Sequence, residues 1–375
     1  MSEPNLSRPE SVLIIKPSSL GDVITAIPVL AGIRRTFPQA HVAWLITPEC
    51  APILAGQKDL DEVILFDRRR YGFVGRSAGA TKDFTAFCRN LRRRRFDWVI
   101  DLQGLFRSGF FARVSGAGVR AGFADAREFA AIFYTHPICV RAVHTVDRNL
   151  ALARALGAEA GLEDLALNIT PEAQAFAEAL MIERNLEKGR YLVIAPGTRW
   201  ASKLYPPRHW RKVADELSRD MPVVLTGSDA DAELCAEVSG GNGKIFNLAG
   251  QTTLPDVVAI IASSAAVLTC DSSANFIAPA VGAPFVTLVG PTRPDRTGPV
   301  GSLGSVIVAD VPCQGCLKRR CRHVRGLQSR LIENGASTCM QLIKPEQVIA
   351  AAREVFSRRR LTVSDAEPCG DKKQR

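Results

Sequence analysis

The chain has 375 residues, 46% apolar and 23% charged, a length suited to two globular cores and a composition that excludes a fibrous or wholly disordered protein. Lysine and arginine outnumber the acids by 48 to 38, and the resulting charge of +10 favours an anionic partner, whether nucleic acid, phospholipid or phosphorylated substrate. No uninterrupted apolar run reaches the roughly 18 residues of a membrane-spanning helix, and the polar start MSEPNLSRPES argues for a cytosolic protein.

In chain order, Val12 to Ile15 reads as a buried parallel strand, and Ile24, Ile27, Leu30 and Ile33 recur at the spacing of one helical face. The turn between them, Lys16-Pro17-Ser18-Ser19-Leu20-Gly21-Asp22, holds a cation, two hydroxyls, a glycine and a carboxylate. Ligands of open parallel sheets bind beyond the carboxyl ends of the strands, which makes this turn a candidate site. Asp22 has two readings there, a helix N-cap or a general base that takes a proton from an incoming hydroxyl. The glycine fingerprints of dinucleotide and NTP loops are absent from the turn.

Val42 to Ile46 and Val63 to Phe66 read as further strands. Next, FDWVIDLQGL (96–105) delivers Asp101, Gln103 and Gly104 to the same sheet edge, either to bind a polyhydroxyl ligand or to close the turn into the following helix. His144 opens a helical stretch through Leu156 and reads as a surface residue. The arginine clusters at 68–70, 92–95 and 358–360 read as solvated faces.

Between Gly161 and Lys188 the chain turns acidic and alanine-rich, with Pro171 at a helix start, and the domain boundary is placed there. The first domain spans 11–175 and the second 188–355. A second series of strands follows at Tyr191 to Ala195, Val223 to Thr226, Ala266 to Thr269 and Phe285 to Val289, with helices between. Two such series predict two doubly wound parallel sheets facing each other across a cleft. Residues 362–375 form a polar, disordered tail.

The second series carries anion-binding chemistry. Gly197, Thr198 and Lys203 follow the first strand and suit a phosphate or pyrophosphate. Asp229 and Asp231 end the next strand, where they either accept ribose hydroxyls or cap a helix. Asp271-Ser272-Ser273 then leads into an alanine-rich helix, with the N–H groups of Ser272 and Ser273 expected to point out of the helix start toward a pyrophosphate.

Seven blocks in this order, IIKPSSLGDVITAIPVL, DWVIDLQGL, HTVDRN, APGTRWASKLYPPRHW, LTGSDADAE, the stretch from NLAGQTTL to TCDSSANFIAPAVGAP, and LVGPTRP, resemble the heptosyltransferases of lipopolysaccharide core synthesis, glycosyltransferase family 9. The resemblance implies a GT-B fold of two Rossmann-like domains, with the acceptor on the first and an ADP-sugar donor on the second. It implies metal-independent, inverting transfer of a heptose to an anionic, lipid-anchored oligosaccharide at the cytoplasmic face of the inner membrane. Asp22 matches the family's catalytic base, and Ser18, Ser19 and Gly21 lie in its acceptor loop, with Asp101 and Gln103 beside them. Thr198 and Lys203 match donor-phosphate contacts, Asp231 an acid near the ribose, and Asp271, Ser272 and Ser273 the Asp-Thr-Gly motif at the donor pyrophosphate. The alternatives are a family member with another nucleotide-sugar, or a relative that binds without turnover. A nucleic-acid reader is disfavoured, because the basic residues are dispersed and no reading motif accompanies them.

Two departures stand out. The family has a histidine three residues after its Asp-Thr-Gly glycine, whereas Phe276 occupies that place here and Ser273 replaces the glycine, so a polar contact to the donor is either lost or moved to Asn275. The second is Cys313-x2-Cys316-x4-Cys321, followed by Cys339, within a cysteine-rich insert at 313–339. In a reducing compartment such thiols either form a structural zinc site, with His323 able to replace one of them, or remain unligated in a loop.

Overall fold

The apolar run near the start forms β1 (Ser11–Ile15), and the expected single helix after it is two, α1 (Leu20–Ile24) and α2 (Ile27–Thr36). The break comes where Pro28, which has no N–H and whose ring would collide with the carbonyl four residues back, takes a place in the first turn of α2. Then follow β2 (His41–Ile46), β3 (Glu62–Leu65), α3 (Ala78–Arg93), β4 (Trp98–Asp101), α4 (Phe106–Ser115), β5 (Val119–Phe123), β6 (His136–Ile138) and α5 (Thr145–Arg154).

The second series comprises α6 (Pro171–Glu183), β7 (Leu192–Ala195), α7 (Pro207–Leu217), β8 (Val223–Leu225), α8 (Ala232–Ser239) and β9 (Ile245–Asn247). It continues with α9 (Leu254–Ser263), β10 (Ala266–Cys270), α10 (Ala274–Ala280), β11 (Phe285–Val289), α11 (Pro294–Thr297), β12 (Gly304–Val308), α12 (Thr338–Gln341) and α13 (Pro345–Ser364). This computed structural model describes residues 7–321 and 338–364.

The chain divides into two units, Met1–Thr170 and Pro171–Arg375. Residues 171–175, assigned above to the first domain, open α6, which packs on α9 and so belongs with the second unit. Thr362 to Ser364 continue α13 rather than starting a tail, and 365–375 lie outside the described residues.

Each unit holds a six-stranded sheet, ordered β3-β2-β1-β4-β5-β6 in the first and β12-β11-β10-β7-β8-β9 in the second, with every pairing parallel. Counted from its own first strand, each sheet has the doubly wound order 3-2-1-4-5-6. The order reverses between β1 and β4 in one sheet and between β7 and β10 in the other. Crevices outside the strand ends at these reversals are where doubly wound sheets bind ligands.

The central strands are buried on both faces, as crossover helices require. On one face of the first sheet Leu13, Ile15, Leu45 and Val99 pack with Phe66 and Phe111. In the second unit Leu192, Ile194 and Leu268 pack with Trp210, Val213 and Leu217 of α7 and Val348 and Ala352 of α13. Cys235 and Cys270 are buried in this unit, and burial pushes both thiols up to about 12.

Candidate functional site

At the first reversal, the loop after β1 is built around Asp22. Ser19 is the N-cap of α1, and Asp22, in its first turn, reaches back so that Oδ2 accepts from the Ser19 N–H at 3.1 Å and hydroxyl at 2.8 Å. Asp22 is therefore the acid of a capping box rather than the cap itself. Its other oxygen remains available: Oδ1 lies 3.9 Å from Lys16 Nζ, and the side chain is 40% exposed against 5% for Lys16. Ser18 is half-buried in the same turn and Gly21 is buried.

Lys16, not chosen from the sequence, ties two loops together. Its ammonium donates to the Leu102 carbonyl beyond β4 at 2.8 Å, while its own carbonyl accepts from Trp44 Nε1 at 3.1 Å. A nearly dry cation on rigid backbone thus faces the one carboxylate oxygen that the helix does not use. The sequence held a signal for it, a lone lysine directly after a buried strand.

The structure corrects the ligand-facing reading of Asp101. It is fully buried, with Oδ1 accepting from the Gln103 and Gly104 N–H groups at 2.9 and 3.1 Å and Oδ2 from the Tyr134 hydroxyl at 2.6 Å. Burial pushes its carboxyl up, against the pull of these bonds, and burial beside this carboxylate raises the Tyr134 phenol. Gln103 is half-buried, with Oε1 unpartnered among the described residues. Asp101 closes the turn, and Asp101→Ala would strand three donors. At about 1–3 kcal/mol per orphaned group, we expect a loss of several kcal/mol in urea unfolding, with Asp101→Asn costing much less because its carbonyl still accepts.

At the second reversal, Lys203 Nζ lies 2.8 Å from Asp271 Oδ2, and both side chains are mostly buried. The ammonium also lies over the Trp200 ring at 4.5 Å, and Arg319 lies over the same ring at 5.5 Å. Ser202 fixes the arginine's segment, its hydroxyl donating to the Lys318 carbonyl at 2.6 Å and its N–H to the Arg319 carbonyl at 3.3 Å. Lys318-Arg319-Arg320 was legible as a charge run, but only the fold brings it to the loop after β7. Thr198 is half-buried in that loop.

Asp231 joins the loops after β7 and β8. Its Oδ2 accepts from the Ser228 N–H at 2.9 Å and hydroxyl at 2.7 Å. A Cβ at Gly197 would stand 2.3 Å from its Oδ1, and one at Gly227 would stand 2.7 Å from its own Cβ, so both glycines are needed for the approach.

The expected Asp-Ser-Ser geometry is also corrected. The Ser272 N–H bonds back to the Cys270 carbonyl at 2.7 Å and its hydroxyl pairs with Thr269 Oγ1 at 2.9 Å, so that N–H does not point outward. Ser273 is the N-cap of α10, whose first N–H groups are the orphan donors that any helix start leaves. Asn275 is fully buried, with Oδ1 accepting from Thr287 Oγ1 at 2.6 Å and Nδ2 unpartnered among the described residues.

The four thiols differ in their exposure. Cys313 and Cys316 are exposed, Cys321 is half-buried, and Cys339 is buried in α12 against Gly290. Among the described residues no three His, Cys, Asp or Glu side chains are grouped to hold a metal ion, and His323 lies outside them.

The sequence profile of glycosyltransferase family 9 (heptosyltransferase) matches residues 84–325. The chain is 29% identical over 348 residues to lipopolysaccharide heptosyltransferase 1 of Pseudomonas aeruginosa, covering 90% of this chain and 95% of that protein. Among solved structures it resembles the E. coli heptosyltransferase WaaC with ADP-2-deoxy-2-fluoro heptose, at 27% identity and a TM-score of 0.66, over 79% of this chain and 92% of that one. It also resembles the E. coli ADP-heptose lps heptosyltransferase II, at 22% identity and a TM-score of 0.72, over 93% and 99%. These likenesses show the GT-B fold of two Rossmann-like units.

Proposed function

The chain belongs to glycosyltransferase family 9, and on that premise we propose that it moves a heptose from ADP-heptose onto a lipid-anchored, anionic oligosaccharide in lipopolysaccharide core synthesis, with inversion at the anomeric carbon. The observation that carries the reading is the chemistry of the two strand-order reversals. One offers a half-exposed carboxylate oxygen beside a buried ammonium, and the other offers an ammonium at the mouth of a helix start.

On the first unit, Asp22 Oδ1 takes the proton of the acceptor hydroxyl as its oxygen bonds to the anomeric carbon. The bond from that carbon to the β-phosphate oxygen breaks from the opposite side, and its electron pair leaves with ADP. On the second unit, Lys203 and the first N–H groups of α10 meet the charge that develops on the departing diphosphate. These protein groups supply that stabilisation in our reading, with no metal assigned a role. Asp231, held against Gly197, is the acid we assign to the ribose hydroxyls.

No helix among the described residues is long and apolar enough to cross a membrane, and the +10 charge favours an anionic surface. We therefore place the enzyme peripherally on the cytoplasmic face of the inner membrane. Mass spectrometry after incubating the protein with a lipid A core acceptor and a panel of nucleotide-sugars tests the assignment. We expect one added heptose with ADP-heptose alone. Addition of another sugar, which Phe276 and Ser273 would then help explain, or tight donor binding with no product, would overturn it.

A further inference from the structure

We propose that the first unit docks on an anionic lipid bilayer through an apolar patch formed by Phe129, Ile132 and Phe106, with Arg107 and Arg127 engaging the headgroups. This builds on the peripheral location just proposed and assigns it a surface. Phe129 is 83% exposed and Ile132 71%. Phe129 caps the short 3₁₀ turn Ala130–Phe133 and Ile132 lies within it. Phe106, also exposed, packs edge-on against Phe133 with ring centroids 5.2 Å apart.

The turn is anchored to the loop after β4. The Arg127 N–H donates to the Gly104 carbonyl at 3.0 Å, and the Phe106 N–H donates to Glu128 Oε2 at 3.2 Å. The patch therefore borders the carboxyl edge of the sheet, the edge that also carries Asp22. A lipid-anchored acceptor would be met where the bilayer is met.

Two observations argue against an accident of folding. Glu128 and Phe129 both adopt left-handed backbone, with φ of 54° and 59°, a conformation that strains a bulky residue. For Phe129 no burial offsets that strain. The charges also complement a lipid surface. Arg107 and Arg127 are exposed, the Arg107 guanidinium lying over the Phe66 ring at 5.9 Å, and among the described residues neither is in an ion pair. Glu128 is the acid between them, and one of its oxygens is committed to the Phe106 N–H. Apolar side chains flanked by arginines suit the boundary between headgroups and acyl chains.

The test is co-sedimentation of the full chain with vesicles of phosphatidylethanolamine and phosphatidylglycerol, and with phosphatidylcholine alone, with neither donor nor acceptor present. Wild type should partition onto the anionic vesicles and be released by salt. Phe129→Gly combined with Ile132→Ser should weaken partitioning by about tenfold or more, with the melting temperature unchanged or raised, since glycine tolerates the backbone at 129. Transfer to a deacylated, water-soluble acceptor should stay within about twofold of wild type, because neither side chain touches the reacting groups. Wild-type failure to bind, equal binding by the variant, or loss of self-association in place of vesicle binding would overturn the proposal. The vesicle arm contains no substrate, so failure of the heptose assignment would show only in the transfer assay.

Discussion

Asp22→Asn should lower kcat by about 10²–10⁴-fold, the usual contribution of a positioned general base, while leaving the affinity for the donor close to wild type. The substitution separates two jobs that one side chain performs. A carboxamide oxygen can still accept from the Ser19 N–H and hydroxyl, so the start of α1 is preserved. What it cannot do is take a proton at the second oxygen, the one that faces Lys16 at 3.9 Å. Single-turnover transfer alongside calorimetric titration with the donor reads both quantities. A variant that keeps wild-type turnover removes Asp22 from the mechanism, and one that loses donor binding assigns it a structural part instead.

Lys203→Met should lower kcat/KM by about 10²–10³-fold, the scale seen when one preorganised stabilising group is removed. This variant has a second, separable effect. Asp271 would remain in its mostly buried place without the ammonium now 2.8 Å away, and breaking one side of such a pair costs about 3–5 kcal/mol. Lys203→Met combined with Asp271→Asn removes the uncompensated charge and should recover most of the stability. If the lysine serves the leaving diphosphate, the double variant melts like wild type yet stays slow. If activity returns together with stability, the lysine was needed only to hold the fold.

Much of the architecture was legible because the central strands are simple. Val12 to Ile15 and Val42 to Ile46 are uninterrupted aliphatic or aromatic runs, Phe285 to Val289 is broken only by Thr287, and such runs have few places to go other than a doubly covered sheet. Of the strands toward the sheet edges, β3 and β8 were foreseen and β5, β6, β9 and β12 were not. β5 contains Arg120 and Gly122 and β6 is three residues around Pro137, so neither shows an apolar pattern, and β12 offers only the short run Val306 to Val308. They exist because a neighbouring strand supplies their hydrogen bonds, a partner that a linear reading does not contain.

At the site the same limit holds. The positions of Asp22, Lys203 and Asp271 at strand ends followed from the alternation of elements, but their partners did not. Asp101 looked like a ligand-facing acid until Tyr134, 33 residues away, was found to occupy it. Asn275 looked able to replace a missing histidine, yet Thr287 of the adjacent strand holds its oxygen in the interior. Four cysteines suggested a metal centre by count, and the fold puts one inside α12 and two on the surface, with no group of three metal-ligating side chains among the described residues.

The bond pattern between Ser19 and Asp22 recurs twice more, at Ser228 with Asp231 and at Thr253 with Asp256, where the carboxylate again accepts from both the N–H and the hydroxyl of the residue three places before it. Among the described residues only the copy at Asp22 also faces a buried ammonium. The molecule thus carries its own yardstick. An asparagine at 256 measures what the motif is worth to a helix alone, and subtracting that figure from the one obtained at 22 isolates the share that belongs to lysine and to chemistry.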